Sequence, residues 1–239
     1  MILLIRQQAL IPKPRIDLFV CGRFALVIVK GFWTRFAVID HQAQLTPRYN
    51  IAPTQEVPII VGESPNKVVM MRWGLVPSWA KDPKIGNRLI NARAETVSTK
   101  PAFRASLKSK RCLVPASGFY EWKRAAEGKV PYYIHRKDDE IFAFAGLYDR
   151  WKSPEGSEML SFTIITTTPN SLMKEIHDRM PVILRREDEE TWLAKDALET
   201  DSITRILSPY PARMLEAYRV STAVNNPQNE SEGLVKPVA

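Results

Sequence analysis

Cysteine is scarce in this chain. Only Cys21 and Cys112 occur among 239 residues. Two cysteines are too few for the disulfide framework of a small secreted domain, and they favour a reducing compartment such as the cytoplasm. No apolar run reaches the roughly 18 residues that a membrane-spanning helix needs, so no membrane partner is expected. The apolar stretch Ile2–Ile5 ends at Arg6 with no small-residue cleavage site after it, so no secretory signal is predicted.

Motifs for phosphate and metal binding are missing as well. Neither G-x-x-x-x-G-K-[ST] nor G-x-G-x-x-G occurs, and no spacing of His, Cys and acidic residues resembles a zinc site. We therefore expect neither a nucleotide nor a metal. The composition, with 45% hydrophobic and 25% charged residues and no repeats, excludes a disordered chain, a collagen-like repeat and a coiled coil.

Acidic residues are outnumbered. The chain has 26 Asp and Glu against 34 Lys and Arg, a formal net charge of +8, and such a surplus suits a polyanion such as nucleic acid. Glycine is rare, at 10 residues, whereas 18 prolines are spread along the chain. Many short segments interrupted by proline indicate a strand-rich domain with short helices, of the α+β class with a largely antiparallel sheet.

Strands are predicted where β-branched and aromatic residues cluster. The predicted strands are Val57–Val61, Lys67–Trp73, Arg111–Pro115, Tyr132–His135, Ile141–Tyr148, Leu160–Thr167 and Tyr218–Val224. The segment at 141–148 is apolar on both faces, and we expect it to lie in the centre of a sheet.

Helices are predicted mainly in the C-terminal third. Thr168-Pro169 is typical of an N-cap followed by proline, and it predicts a helix that ends before Pro181. Acidic residues near position 187 and a lysine at 195 predict a second helix over 187–195. A third helix is predicted over Asp201–Leu207, and the polar residues Asn225–Ala239 are expected to form an extended surface tail.

Cys21 and Glu121 are the first candidates for chemistry. Cys21 lies in the segment CGRFAL, and taken alone it is typical of a small buried hydrophobic residue. Glu121 lies in GFYEWK, where a strand would direct it to the opposite face from Tyr120 and Trp122. A carboxylate among aromatic rings is either a solvated edge residue or an acid/base group with a shifted pKa.

Two further segments combine polar groups. In LINARAET, Asn91 and Arg93 project to one side of an extended chain, where an amide can orient a reactant and a guanidinium can bind phosphate. The alternative is an ordinary polar turn. In EIHDRMPVIL, His177 lies near the end of a predicted helix. Histidine changes its charge near neutral pH, although a single histidine at a helix end is more often structural than catalytic.

Aromatic and basic side chains alternate in several segments. RWGLVPSWA places Trp73 and Trp79 around a proline. With Trp122, they are interleaved with three arginines, Arg23, Arg72 and Arg93. Aromatic faces and cations together are what a binding site for single-stranded nucleic acid needs. For Trp73 we favour a place in the core.

Together and in this order, these segments resemble the SRAP (SOS response-associated peptidase) family, whose members shield abasic sites in single-stranded DNA. The similar segments are CGRF (21–24), RYNIAPT (48–54), RWGLVPSWA (72–80), INARAET (90–96), RCLVPASGFYEWK (111–123), IFAFAGLYD (141–149), TTTPN (166–170), IHDRMPVIL (176–184) and VSTAVNN (220–226). The resemblance implies one α+β domain over residues 21–239, with a sheet or barrel core and short flanking helices. Residues 1–20 are then an N-terminal extension or a propeptide.

The N-terminus departs from the family pattern, in which the cysteine is the first residue of the mature protein. A free α-amine, with a pKa of roughly 7.7–8.0, can attack the aldehyde of a ring-opened abasic sugar and form an imine. The neighbouring thiol then closes a five-membered thiazolidine ring, which is favoured because the closure is intramolecular. The nitrogen of an internal Cys21 is an amide and cannot react in this way.

Two hypotheses make Cys21 the first residue. Val20 directly precedes Cys21, and a GTG codon encodes valine within a chain but methionine at a start site. We favour Val20 as the true initiator, with Cys21 exposed when the initiator methionine is removed. The alternative is that residues 1–20 are a propeptide that is removed autocatalytically, as the peptidase label of the family implies.

The resemblance also implies roles for the matching residues. Cys21 is expected to be the nucleophile, and Asn91 to hold it and the opened sugar by hydrogen bonds. Glu121 is expected to accept a proton from the amine, and His177 to act as acid/base at the sugar ring oxygen. The expected DNA-binding residues are Arg23, Asn50, Pro53, Trp79, Arg93 and Trp122. The resemblance implies no metal and no organic cofactor. It implies a monomer that binds single-stranded DNA containing abasic sites, in the cytoplasm and near the nucleoid.

Two other functions stay open at this point. Cys21, His177 and Asn91 contain the residue types of a Cys-His-Asn peptidase that acts on other proteins. Turnover of an unrelated peptide that persists when the cysteine amine is blocked would favour that function. A non-enzymatic binder of single-stranded DNA is the other alternative, and it predicts salt-sensitive affinity with no covalent product.

Overall fold

The computed structural model describes residues 21–27, 30–39, 44–126, 128–196 and 198–238, so residues 1–20 and the hypotheses about them lie outside the described residues. The strands are β1 Phe24–Leu26, β2 Arg48–Ile51, β3 Glu56–Val61, β4 Lys67–Trp73, β5 Asn91–Arg93, β6 Arg111–Ala116, β7 Gly118–Ala125, β8 Gly128–Arg136, β9 Phe142–Lys152, β10 Glu158–Thr167, β11 Met180–Pro181 and β12 Leu215–Arg219. The helices are α1 Phe32–Arg35, α2 Arg104–Ser109, α3 Ser171–Lys174, α4 Arg186–Leu193 and α5 Thr200–Ile206, with 3-10 turns at Pro83–Arg88, Ala212–Met214, Thr222–Asn225 and Glu232–Val235.

The strands form two sheets. The first is antiparallel, in the order β12-β8-β7-β1-β2. The second has the order β11-β10-β4-β3-β6-β9, and β9 pairs again with β10, so that β10-β4-β3-β6-β9 closes into a barrel. The only parallel pairings between the described strands are those of β10 with β4 and with β5. The predicted α+β class with a mostly antiparallel, barrel-like core is therefore confirmed.

One main hydrophobic cluster runs from Cys21 to Leu215 and includes residues of both sheets. The apolar run at 141–148 lies at its centre, because β9 pairs with β6 on one side and with β10 on the other. Trp73 is completely buried, and its indole N–H donates to the carbonyl of Ile90 at 2.9 Å. Both predictions are confirmed, and a single core supports a single domain.

The helix predicted from Thr168-Pro169 begins later than expected. Its N-cap is Asn170, whose side-chain oxygen accepts the backbone N–H of Met173 at 2.9 Å. The reason is that β10 continues through Thr167 and pairs there with β11, which keeps the preceding backbone extended. The second helix, α4, ends at Leu193, two residues before the predicted lysine, and the third, α5, lies where it was predicted.

The C-terminal predictions need two corrections. The strand predicted over 218–224 ends at Arg219, because Ser221 caps a 3-10 turn by accepting the N–H of Ala223. The tail is not merely extended on the surface. Leu234 is buried, and the carbonyl of Val235 accepts the hydroxyl of Tyr218 at 2.7 Å. Packing against the first sheet fixes the tail because its few apolar residues have a partner surface there.

Candidate active site

Cys21 and Glu121 meet because of a strand pairing. Cys21 lies just before β1, and β1 pairs with β7 so that Phe24 is opposite Phe119. This register places Glu121 beside the residues that precede β1. There its Oε1 accepts a hydrogen bond from the backbone N–H of Cys21 at 2.6 Å. Both residues are nearly inaccessible, at 3% and 2% exposure. The backbone of Cys21 has φ +47°, a left-handed conformation that is unusual for a residue other than glycine.

The buried pair has unusual protonation equilibria. Burial raises the pKa of Glu121 from its usual 4.5 to about 7, although the hydrogen bonds from Cys21 oppose that shift. Burial also raises the pKa of the Cys21 thiol well above its usual value, and the adjacent carboxylate of Glu121 acts in the same direction. The thiol is therefore held protonated at neutral pH, and Glu121 can gain or lose a proton there.

His177 lies in the turn that follows α3. Its backbone N–H donates to the carbonyl of Met173 at 2.7 Å and closes this turn. Burial lowers the pKa of His177, so its ring is neutral near pH 7. The ring Nδ1 then accepts the N–H of Arg179 at 3.2 Å, which leaves the proton on Nε2. When the ring is protonated, Nδ1 instead pairs with the carboxylate of Asp178, 2.9 Å away.

Charged residues next to His177 act electrostatically on the buried pair. The charge of Asp178 contributes to the raised pKa of Glu121, and the charge of Arg179 partly opposes the raised pKa of the Cys21 thiol. No hydrogen bond joins His177 to Cys21, both of which are described residues. The nearest titratable partner of Cys21 is therefore a carboxyl group and not an imidazole.

Sequence reasoning missed the role of Arg179 in this arrangement. Its guanidinium donates to both carboxylate oxygens of Glu95, at 2.6 and 3.0 Å, and to the carbonyl of Thr166 at 2.7 Å. Glu95 and Arg179 are 84 positions apart in the chain. They meet because β5 and β11 both pair with β10. No short motif signals such a contact.

Asn91 begins β5 and is half-buried, opposite Ile164 of β10. The preceding residue, Ile90, accepts the indole N–H of Trp73, and the Trp73 ring contacts Phe24 edge-on at 5.2 Å between centroids. These contacts connect the start of β5 to the start of β1. The alternation predicted for this segment is present, since Ala92 points into the core while Arg93 is exposed.

Arg23 and Asn50 lie beneath the C-terminal segment. The Arg23 guanidinium donates to Oδ1 of Asn50 and to the carbonyl of Val224, both at 2.7 Å. Asn50 is completely buried, and its Nδ2 donates to the carbonyls of Asn226 at 3.0 Å and Asn229 at 2.9 Å. Its contacts are all within the protein, so any effect of Asn50 on a DNA path is exerted through the segment that it anchors.

A family model described as SOS response associated peptidase (SRAP) matches residues 20–227. The chain belongs to this family. One relative is the abasic site processing protein YoqW of Bacillus subtilis (strain 168), which is 48% identical over 226 residues, covering 90% of this chain and 99% of YoqW. Another is the abasic site processing protein HMCES of Xenopus tropicalis, which is 34% identical over 77% of this chain and 64% of that protein.

A solved structure of a protein from Bacteroides thetaiotaomicron has the same fold. The two chains superpose with a TM-score of 0.83 and are 32% identical in sequence. The match covers 92% of this chain and 100% of the other. The sequence resemblance to the SRAP family is therefore confirmed by the family model and by the curated relatives.

The remaining predicted DNA-binding residues of this SRAP chain differ in exposure. Trp79 is 59% exposed, in the loop after β4. Trp122 is half-buried, and its indole N–H donates to Oδ1 of Asn225 at 2.8 Å while Arg23 lies over its ring at 5.9 Å. Pro53 is half-buried in the turn after β2. The DNA-binding roles of all six residues stay predictions.

No three His, Cys, Asp or Glu side chains come together as metal ligands would within the described ranges, and the expectation of metal-independent chemistry stays a prediction. In the same part of the SRAP chain, no helix combines the length and apolarity needed to cross a membrane.

Replacing Asn50 is expected to loosen the C-terminal segment. Asn50→Ala removes the amide donor of two backbone carbonyls and the acceptor of Arg23. Leaving buried polar groups unsatisfied should lower the free energy of unfolding by about 2–4 kcal/mol. Urea denaturation measures this loss. The control Gln228→Ala, at an exposed position of the same segment, should change it by less than about 0.5 kcal/mol. Equal values for the two variants would contradict the anchoring role.

Proposed function

We propose that this SRAP chain processes abasic sites by forming a covalent thiazolidine between Cys21 and the opened sugar of an abasic site in single-stranded DNA. The observation that carries the proposal is the 2.6 Å contact between the Cys21 nitrogen and Glu121, both of which are buried. The names of the relatives, which are abasic site processing proteins, support the substrate. The proposal requires that the residues before Cys21 be absent or removed, either by initiation at position 20 followed by removal of the initiator methionine, or by autocatalytic cleavage.

Without those residues, the nitrogen that donates to Glu121 is a primary amine. Glu121 takes a proton from the ammonium form, and the neutral amine attacks C1′ of the open-chain sugar. The resulting carbinolamine loses one water molecule and becomes an imine. The thiol sulfur of Cys21 then bonds to the imine carbon, and the thiol proton passes to the nitrogen. The product is a five-membered ring, formed with the loss of one water molecule overall.

The protonation state of the thiol supports this order of events. Burial and Glu121 both raise the thiol pKa, so the thiolate that a cysteine peptidase needs is disfavoured. An amine whose proton Glu121 can accept is the better first nucleophile. Cys21 is also paired with Glu121 and not with His177, which argues against a Cys-His-Asn peptidase that acts on other proteins.

The test of this function is intact mass spectrometry. Protein that begins at Cys21 is incubated with a single-stranded oligonucleotide containing one abasic site. The expected product has the summed mass of the two reactants less one water, and it survives heating without borohydride reduction. A strictly non-covalent complex would favour a DNA-binding protein without chemistry, and a product stable only after reduction would limit the reaction to an imine. The proposal includes a monomeric protein with a cytoplasmic, nucleoid-associated location.

His177 is expected to control the rate at which the closed sugar ring opens. A neutral ring with its proton on Nε2 can donate to the ring oxygen and take the proton back later. His177→Gln should slow formation of the covalent product on the order of 100-fold. Single-turnover rates between pH 5 and 8 measure the effect. Because burial lowers the pKa of His177 from 6.5, the wild-type rate should change below pH 6.5, and the variant should lack that change. An identical pH profile in the variant would remove His177 from the mechanism.

A further inference from the structure

Trp73 has little freedom to move at the end of β4. It is completely buried, and both of its backbone groups bond to the turn after β2. Its N–H donates to the carbonyl of Gln55, and its carbonyl accepts the N–H of Thr54, each at 2.9 Å. Its ring contacts that of Phe24 edge-on at 5.2 Å and stacks on that of Phe162 at 6.3 Å between centroids. Packing from β1 and β10 therefore holds the indole in one orientation.

The indole N–H of Trp73 bonds to the peptide group that leads into β5. It donates to the carbonyl of Ile90 at 2.9 Å, and the same carbonyl accepts the N–H of Ile164 of β10 at 3.1 Å. Because a peptide unit is planar, fixing the oxygen of Ile90 from two directions also fixes the nitrogen of Asn91. The backbone from which the Asn91 side chain projects is therefore held in place at the start of β5.

β5 has few other restraints of this kind. It is three residues long, and among the described strands it pairs with β10 alone. The Ile90 carbonyl has a backbone partner in β10 even without the indole, so the bond from Trp73 is not needed to satisfy a buried acceptor. Its effect is to hold the start of a short strand from a second direction.

We propose that Trp73 is a positioning residue for the reaction at Cys21 and that it acts through Asn91. Its ring packs on β1, which follows Cys21, and its N–H holds the residue before Asn91. The indole thus fixes the start of β5 relative to β1, so that the Asn91 amide meets the cysteine and the opened sugar in the reactive arrangement. The inference rests on the proposed function, which assigns Asn91 to hold these groups.

The first test compares the single-turnover kinetics of Trp73→Phe and Trp192→Phe in protein that begins at Cys21. Phenylalanine keeps an aromatic ring in the core but has no N–H. Trp192 is the matched control, because it is also completely buried and its indole N–H also donates to a backbone carbonyl, that of Cys112 in β6, at 3.1 Å. Urea denaturation should show both variants folded, with similarly lowered midpoints.

The rate and the affinity should respond differently in Trp73→Phe. Its rate constant at saturating abasic single-stranded DNA should fall at least about 10-fold, because a misplacement of about 1 Å can cost about 100-fold in rate. The DNA concentration that gives half the maximal rate should stay the same, since the indole acts on the backbone and not on the DNA. Trp192→Phe should change neither quantity. An equal loss of rate in the two variants would show that only core packing matters and would overturn the inference.

A double variant separates positioning from a general loosening of the core. If Trp73 acts through Asn91, Trp73→Phe should slow the reaction less than about twofold in protein that already carries Asn91→Ala. An undiminished effect of Trp73→Phe in that background would contradict the proposed route.

Backbone order at Asn91 provides a readout that needs no reaction. The NMR order parameter of the Asn91 amide should fall from about 0.85, which is typical of rigid backbone, toward about 0.6 in Trp73→Phe, and it should stay unchanged in Trp192→Phe. An unchanged order parameter in Trp73→Phe overturns the inference, even where the covalent product still forms. If the order parameter falls as expected while no protein forms a covalent product, Trp73 positions Asn91 and the proposed chemistry fails.

Discussion

Protein that begins with alanine or serine in place of Cys21 is expected to form no heat-stable product with abasic single-stranded DNA. Both variants keep the α-amine beside Glu121, so the imine can still form and be trapped by borohydride. Without sulfur, however, ring closure is lost and the imine hydrolyses. The yield of heat-stable product should fall at least about 100-fold, because the intramolecular step that drives the reaction is absent. Denaturing gel electrophoresis with and without borohydride measures both species.

The second cysteine provides the control for that experiment. Cys112 is buried in β6, and burial raises its thiol pKa beyond the reactive range. Cys112→Ala should leave the yield of heat-stable product unchanged. A full yield from Cys21→Ala, or loss of yield from Cys112→Ala alone in a folded protein, would contradict the assignment of Cys21 as the nucleophile.

The chain that retains residues 1–20 should lose stability as the pH rises from 4.5 to 7. In that form the nitrogen of Cys21 is an amide, and among the described residues no cation pairs with the buried carboxyl of Glu121. The folded state holds the Glu121 proton up to about pH 7, whereas the unfolded chain releases it near 4.5. The stabilising contribution is therefore complete below pH 4.5 and is lost through pH 7. Its size is on the order of 3 kcal/mol.

Glu121→Gln isolates this effect from the other carboxyl groups. Glutamine keeps the acceptor for the Cys21 N–H but does not ionise, so the variant should match the wild type at pH 4.5 and be more stable at pH 7.5. Urea denaturation across this range gives the difference directly. A difference that does not change with pH would show that Glu121 has an ordinary pKa.

Removal of residues 1–20 should weaken this pH dependence of stability. An α-ammonium group at Cys21 lies beside the carboxylate and lowers the pKa of Glu121. The pH-dependent loss of stability should then shrink in protein that begins at Cys21. In this form Glu121→Gln should also slow formation of the covalent product on the order of 100-fold, since the amine loses its proton acceptor.

Much of the sheet could be predicted from local sequence patterns. The long strands β3, β4, β6, β9 and β10 are rich in β-branched and aromatic residues, and each lies where that clustering predicts a strand. The shorter strands β1, β2 and β5 were not predicted as strands, because three or four residues carry no readable period. Their conformation comes from pairing with distant partners, as β5 does with β10.

The candidate site could likewise be predicted only in part from local sequence. Glu121 and Trp122 were assigned to opposite faces of a strand, and the structure agrees, since Trp122 packs in a separate small cluster with Tyr120. The contact between Cys21 and Glu121 spans 100 positions and depends on the register of β1 against β7. Such a register is set by tertiary packing and has no signature in either segment. The family resemblance indicated these residues, and the fold explains why they meet.

The central claim is that the reacting atom is the nitrogen of Cys21. The most direct measurement mixes equal amounts of protein that begins at Cys21 and protein that begins at Val20, adds an excess of abasic oligonucleotide, and records intact masses. The account predicts that only the protein with Cys21 first gains the mass of the oligonucleotide less one water. Equal conversion of both proteins, without removal of Val20, would contradict it.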